Sequence, residues 1–258
     1  MSSKEKFFLS LVALLLCLSF GSTAPFHHMY YLSLGDSFAA GVKPISPQKA
    51  ITPSFSYANV LYYLLKRDSR YSNLKLIKYG CSGATSDDLI NQDKCNKNQT
   101  NYSQLDQAID FMKSHRGMVK FVTINIGVND IHRYCDNTGV NDECVSEASE
   151  NVSNNLNVII SKLKEAGGEL VQYAGSTYFH KFTNSLDDLL VKIYSENGFR
   201  VADIRTVFDT NGDPSEFSKK VCLYTNSCNK FNNSHPNVQG SEAIGLLYYN
   251  EFSRNNAS

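Results

Sequence analysis

The sequence predicts an α/β domain built on a parallel sheet of five strands with helices on both faces. Three observations support this. Strand-like apolar runs alternate with helical patterns along the chain, the order expected when parallel strands are joined by crossover helices. The run from Val119 to Ile126 is almost continuously apolar, as a strand buried on both faces must be. No Pro/Gly/Ser-rich linker interrupts the 258 residues, so one domain over residues 25–258 is the simplest division.

The elements follow in order. Tyr30 to Leu34 is a first strand that ends at Gly35, and Tyr57 to Arg67 has the apolar spacing of an amphipathic helix. Leu74 to Tyr79 is a second strand, Leu105 to Ser114 a helix, and Val119 to Ile126 the buried third strand. Glu143 to Glu165 reads as a long helix closed by Gly167-Gly168, a helix-stop signal. Leu170 to Ala174 and Phe199 to Ile204 are strands four and five, separated by a helix from Leu186 to Ser195. A last helix is expected from Gln239 to Phe252. In such sheets ligands bind beyond the carboxyl ends of the strands, so chemically useful residues should lie just after strands.

Composition narrows the function classes. Lys+Arg and Asp+Glu both number 25, so nothing argues for nucleic acid or an anionic membrane surface as partner. The N-terminus has the layout of a secretory signal peptide over residues 1–24. Lys4 and Lys6 are followed by an apolar stretch from Phe7 to Phe20 and by the small residues Ser22-Thr23-Ala24. That stretch is short for a membrane span, so no stable anchor and an extracellular location are expected. Cys17 lies in the signal. The other six cysteines form three neighbouring pairs, Cys81 with Cys95, Cys135 with Cys144 and Cys222 with Cys228. Short loops close at low entropic cost, which favours these pairings as disulfides. No Cys-x-x-Cys or Cys/His ligand spacing points to a metal. Five Asn-x-Ser/Thr sequons, at Asn98, Asn101, Asn151, Asn232 and Asn256, are open to glycosylation in a host that performs it.

Four segments sit where a crevice would be. Gly35-Asp36-Ser37 follows strand one. Gly35 permits a tight exit, Asp36 can tie down the turn, and Ser37 would open the next helix with its hydroxyl toward the crevice. Alone, Asp-Ser after a strand is as readily a helix cap. Tyr79-Gly80-Cys81-Ser82-Gly83-Ala84-Thr85 follows strand two. Its glycines allow close backbone approach, and an exposed N–H there can donate to an oxyanion, although a plain glycine turn would look the same. Gly127-Val128-Asn129-Asp130 follows strand three and can present an amide N–H, or simply make a turn. Asn233-Ser234-His235-Pro236-Asn237 precedes the last helix, and His235 is there a candidate general base for a serine.

Together, in this order and spacing, the four segments resemble the SGNH (GDSL) hydrolases, over most of the mature chain. The resemblance implies a three-layer α/β/α sandwich of flavodoxin-like topology and a secreted, lipase-like serine esterase. Ser37 matches the nucleophile, Gly83 and Asn129 match oxyanion donors beside the Ser37 N–H, and His235 matches the base. Gly80 lies three residues before the family's glycine and is the weaker match. One departure stands out: the family commonly carries Asp three residues before the histidine, and here that position is Asn232. A Ser37–His235 dyad oriented by a neutral acceptor near Asn232 is therefore expected, with any glycan on Asn232 pointing outward. The implied partner is a small-molecule or lipid ester substrate, the protein is expected to be a monomer, and no cofactor or metal is implied. Carbohydrate O-deacetylation and a catalytically silent binding protein of the same fold are the competing functions.

Overall fold

The computed structural model describes residues 28–46, 49–52, 54–91, 95, 102–135 and 141–254. The expected signal segment lies outside these residues, as do the sequons Asn98, Asn101 and Asn256. No helix among the described residues is long and apolar enough to cross a membrane.

Five parallel strands form the central sheet: β1 (Met29–Gly35), β4 (Leu74–Lys78), β5 (Val119–Asn125), β6 (Gln172–Ser176) and β7 (Arg200–Ala202). Their spatial order is β4-β1-β5-β6-β7. The chain leaves β1 to one side for β4 and returns on the other side at β5. The carboxyl ends of β1 and β5 therefore flank the topological switch point where a crevice must open. One helical layer pairs α2 (Tyr57–Leu65) with α10 (Val238–Ser253). The opposite layer gathers α3 (Ser86–Asn91), α4 (Gln104–Ser114), α5 (Val128–Cys135) and α7 (Asn184–Glu196) around the long α6 (Asp142–Gly167). This is the α/β/α sandwich expected from the sequence.

Two strand boundaries move. Leu170 is 74% exposed in the turn after α6, and β6 starts two residues later. The run ending at Ile204 stops pairing at Ala202, because the Ile204 N–H is taken by Thr177 Oγ1 at 2.8 Å. Several elements carry too little apolar periodicity to be read in advance. These are α3, α5, α9 (Pro214–Tyr224), a hairpin of β2 (Lys43–Ser46) and β3 (Lys49–Ile51), and a small one of β8 (Thr225–Asn226) and β9 (Asn233–Pro236). Between β1 and α2 lies the four-residue α1 (Ser37–Ala40), and α8 (Arg205–Phe208) follows β7.

The end of β1 is held unusually tightly. Gly35 has φ +132°, and a Cβ there would collide with the Asn125 carbonyl oxygen of β5. On its other edge the fully buried Gln104 side chain closes a two-bond ring with the Gly35 backbone: Gly35 N–H donates to Oε1 and Nε2 donates to the Gly35 carbonyl, both at 3.0 Å. Cys81 N–H adds a further bond to the same carbonyl at 2.9 Å, and Asp36 N–H bonds the Asn125 carbonyl at 2.9 Å. Disulfides join Cys81 to Cys95, Cys135 to Cys144 and Cys222 to Cys228.

Gln104→Ala strips the Gly35 N–H of the Gln104 Oε1 acceptor, and burial makes that costly. The expected loss is about 2–4 kcal/mol of unfolding free energy, read from urea denaturation. An unchanged midpoint would show that the ring is dispensable.

Candidate functional site

The four segments singled out in the sequence meet at the carboxyl edge of the sheet. Ser37 begins α1 and is 6% exposed. Asp36 caps it: the carboxylate Oδ1 accepts from Phe38 N–H at 2.9 Å, and Oδ2 accepts from the Tyr178 hydroxyl at 2.6 Å. The site has no described cation to balance this buried acid, and desolvation pushes Asp36 up to about 7.

The turn after β4 carries Gly83 at φ +78°, in the left-handed region that glycine tolerates. Gly80 does something different. A Cβ on it would strike the backbone and side chain of Ala39 and Ala40, so its absence lets this turn pack directly on α1. Asn129 sits in the first turn of α5, where its Nδ2 donates to the Ala84 carbonyl at 3.0 Å. An amide nitrogen has two hydrogens, so one remains for a substrate oxygen. The neighbouring Asp130 ties the same two turns together, accepting from Ser86 N–H at 2.9 Å and from Ser86 Oγ at 2.5 Å.

His235 lies in β9, just before α10, and its ring centroid is 6.0 Å from that of Phe38, the residue after Ser37. Its partner corrects one expectation. The acceptor is the Asn233 side chain, not Asn232: Asn233 Oδ1 lies 2.7 Å from His235 Nδ1 and 2.9 Å from the His235 N–H. Asn232 is exposed, with φ +44°, and this left-handed turn sends its side chain away while Asn233 folds back on the ring. Because an amide oxygen can only accept, Nδ1 carries the proton and Nε2 keeps its lone pair. Burial without a neighbouring carboxylate pulls His235 down to about 4, so the ring is neutral over the ordinary pH range. No hydrogen bond among the described residues joins Ser37 Oγ to Nε2. Catalytic hydrogen bonds of this kind commonly tighten only when substrate is bound.

The sequence also missed a buried aromatic cluster packed behind Phe38. Phe38 packs edge-on to Tyr178, with centroids 5.6 Å apart, and Phe179 stacks on His180 at 4.3 Å. His180 belongs to this cluster, and burial draws it down to about 4. The segment Tyr178-Phe179-His180 follows β6, and only the rule that function gathers after strands could have flagged it. Among the described residues no cluster of His, Cys, Asp or Glu could hold a metal ion.

Two cavities adjoin the site. A groove of about 280 Å³ runs along Val42, Pro44, Phe55, Phe231, Pro236 and Val238. It shares Val42, Phe55, Pro236 and Ser241 with a narrow crevice that reaches Ser37. A more polar cleft of about 400 Å³ lies beyond the Thr85 and Asp130 turns, bordered by Arg133, Asn151 and Asn155.

The comparisons with known proteins agree with this architecture. In solved structures, the chain is similar to the lipase Lip_vut3 from a goat rumen metagenome, at 15% identity over 85% of this chain and 95% of that one, with a TM-score of 0.55. It is similar to the acetylxylan esterase Axe2 of Geobacillus stearothermophilus, at 15% identity, 89% and 94% coverage and a TM-score of 0.53. The aryl esterase of M. smegmatis matches at 15% identity, 87% and 98% coverage and a TM-score of 0.55. At such identities the likeness speaks for the fold. No curated protein matches the chain significantly by sequence. The family model for GDSL-like lipases and acylhydrolases matches residues 33–243, and on this match the chain belongs to the GDSL-like lipase/acylhydrolase family of ester-cleaving hydrolases.

Proposed function

We propose that this protein is a secreted serine esterase with lipase-like preference, working through a Ser37–His235 dyad. The observation that carries the reading is the placement of His235. Its ring stands beside the Ser37 turn with Nδ1 committed to Asn233, which leaves Nε2 as the basic nitrogen. Three disulfides are compatible with an extracellular setting.

The chemistry then runs in two acyl-transfer steps. His235 Nε2 takes the Ser37 hydroxyl proton as Oγ attacks the ester carbonyl carbon. The carbonyl oxygen, now an oxyanion, is received by the Ser37 and Gly83 N–H groups and by the second hydrogen of Asn129 Nδ2. The imidazolium returns its proton to the leaving alcohol oxygen. Water repeats the sequence on the acyl-enzyme and frees the acid. A neutral Asn233 orients the ring but stabilises the imidazolium less than a carboxylate would.

The lipase-like preference rests on the apolar groove that joins the Ser37 crevice, whose walls suit a hydrocarbon chain. A second reading, removal of acetyl groups from carbohydrate, is favoured by the polar cleft beyond the oxyanion turns.

Ser37→Ala and His235→Ala should each lose nearly all turnover of a 4-nitrophenyl ester, and Asn129→Ala should lower kcat about 10²–10³-fold. Turnover retained in Ser37→Ala would end the assignment. On purified wild-type protein, hydrolysis that rises from acetyl to octanoyl esters supports the lipase-like preference, whereas activity confined to acetylated sugars supports the second reading.

Asn233→Asp places a carboxylate on His235 Nδ1 and favours the charged ring, so its pKa rises from about 4. The base must be neutral to act, and the acid limb of kcat/KM should therefore move to higher pH. A limb that stays in place would show that Asn233 does not contact the ring in solution.

A further inference from the structure

Tyr178 is fully buried and belongs to none of the four segments, yet it touches two of them. Its hydroxyl donates to Asp36 Oδ2 at 2.6 Å. The backbone N–H of Val128 also lies against this phenol, where it favours negative charge on the oxygen. Val128 is the first residue of α5, whose N–H has no partner within the helix, and Asn129 is its immediate neighbour. The other Asp36 oxygen holds the Phe38 N–H, immediately after Ser37. One phenol oxygen thus stands between the turn bearing Ser37 and the turn bearing Asn129, which are 92 residues apart in sequence. Tyr178 is itself fixed, because its N–H donates to the buried Asp187 carboxylate at 2.7 Å and Asp187 also accepts from Thr183 Oγ1 at 2.8 Å.

We propose that Tyr178 is a positioning residue for catalysis: its hydroxyl, bonded to the Asp36 carboxylate and set against the first turn of α5, holds Ser37 and Asn129 in one frame. This rests on the reading of Ser37 as nucleophile and Asn129 as oxyanion donor. A misplacement of about 1 Å between attacking atom and oxyanion donor can cost 10²-fold in rate, which is the error that such a lock suppresses.

The lock depends on the ionisation of Asp36. As a carboxylate, Asp36 accepts from both Phe38 N–H and Tyr178 O–H. Once protonated on Oδ2, it sets its own O–H against that of Tyr178, and the phenol must swing its proton elsewhere. The groups facing Asp36 are Tyr178 from the segment after β6, Asp130 from α5, Tyr57 from α2 and Tyr194 from α7, all neutral or anionic. Burial raises Asp36 to about 7 while the Tyr178 hydrogen bond opposes the rise. The kcat profile should therefore step down to a lower plateau as pH falls through about 7, separately from the loss near 4 that marks protonation of His235.

The test uses purified full-length protein with 4-nitrophenyl acetate. Tyr178→Phe keeps the ring that packs on Phe38 and removes one oxygen. It should lower kcat about tenfold to a hundredfold with KM changed by less than about twofold. The step should also move above pH 7, because Asp36 loses a donor to its charged form. Should that variant fail to fold, Asp36→Asn, which cannot ionise, must erase the step while the limb near pH 4 persists. Wild-type kcat and an unmoved step in folded Tyr178→Phe, or a step that survives in Asp36→Asn, would overturn the proposal. A fluorophosphonate probe that fails to label wild-type Ser37 would instead overturn the reading beneath it.

Discussion

The last residue of β1 is bound on both sides at once. Toward β5, Gly35 lies so close to the Asn125 carbonyl that no side chain fits. Toward β4, its N–H and carbonyl are closed into a ring by Gln104 and joined by Cys81 N–H. This clamp decides where the next two residues go. Asp36 turns inward to cap α1, and Ser37 emerges at the switch point between β1 and β5. The turn that carries Gly83 leans on the resulting helix through Gly80, and Asn129 is tied to that turn through the Ala84 carbonyl. Ser37 and Asn129 are thus referred to the end of one strand through short chains of hydrogen bonds and packing, whereas His235 reaches it only through its ring contact with Phe38.

The interior of the site is buried, and its titratable groups are pushed toward their neutral forms. Desolvation moves the carboxyls of Asp36 and Asp187 up to about 7 and the imidazoles of His180 and His235 down to about 4. Each shift favours the neutral form. Stabilising a developing oxyanion by dipoles is most effective in such surroundings, because no water reorganises to screen them. The neutral amide of Asn233 in the place where a carboxylate is common fits the same pattern.

The five strands were readable because buried parallel strands are apolar runs, and β5 announced itself most clearly. The segments bearing Ser37, Gly83 and Asn129 stood out because such folds gather function after strands, and the roles expected of these residues and of His235 came from the resemblance to the SGNH hydrolases. Helix α5 was not, since Val128–Cys135 is short and mostly polar, and its start is set by the Gly127 turn rather than by periodicity. The choice between Asn232 and Asn233 as partner of His235 could not be read either. Two adjacent asparagines look alike in sequence, and only the left-handed backbone at Asn232 separates them. Contacts across 142 residues, such as Tyr178 with Asp36, have no local signature.

The three disulfides share a placement that the sheet itself does not need. Cys81 opens the turn of Gly83, Cys135 ends the helix of Asn129, and Cys228 lies in the connection between β8 and β9, the strand of His235. Their sequence separations are 14, 9 and 6 residues, so each staples a single loop and none ties distant parts of the chain together. Redox state is thereby coupled to geometry at the crevice more than to global folding. Each staple limits the excursions of one loop that borders the crevice, so the cross-links act on the reach of the site's own turns and leave the strand order to the packing of the sheet.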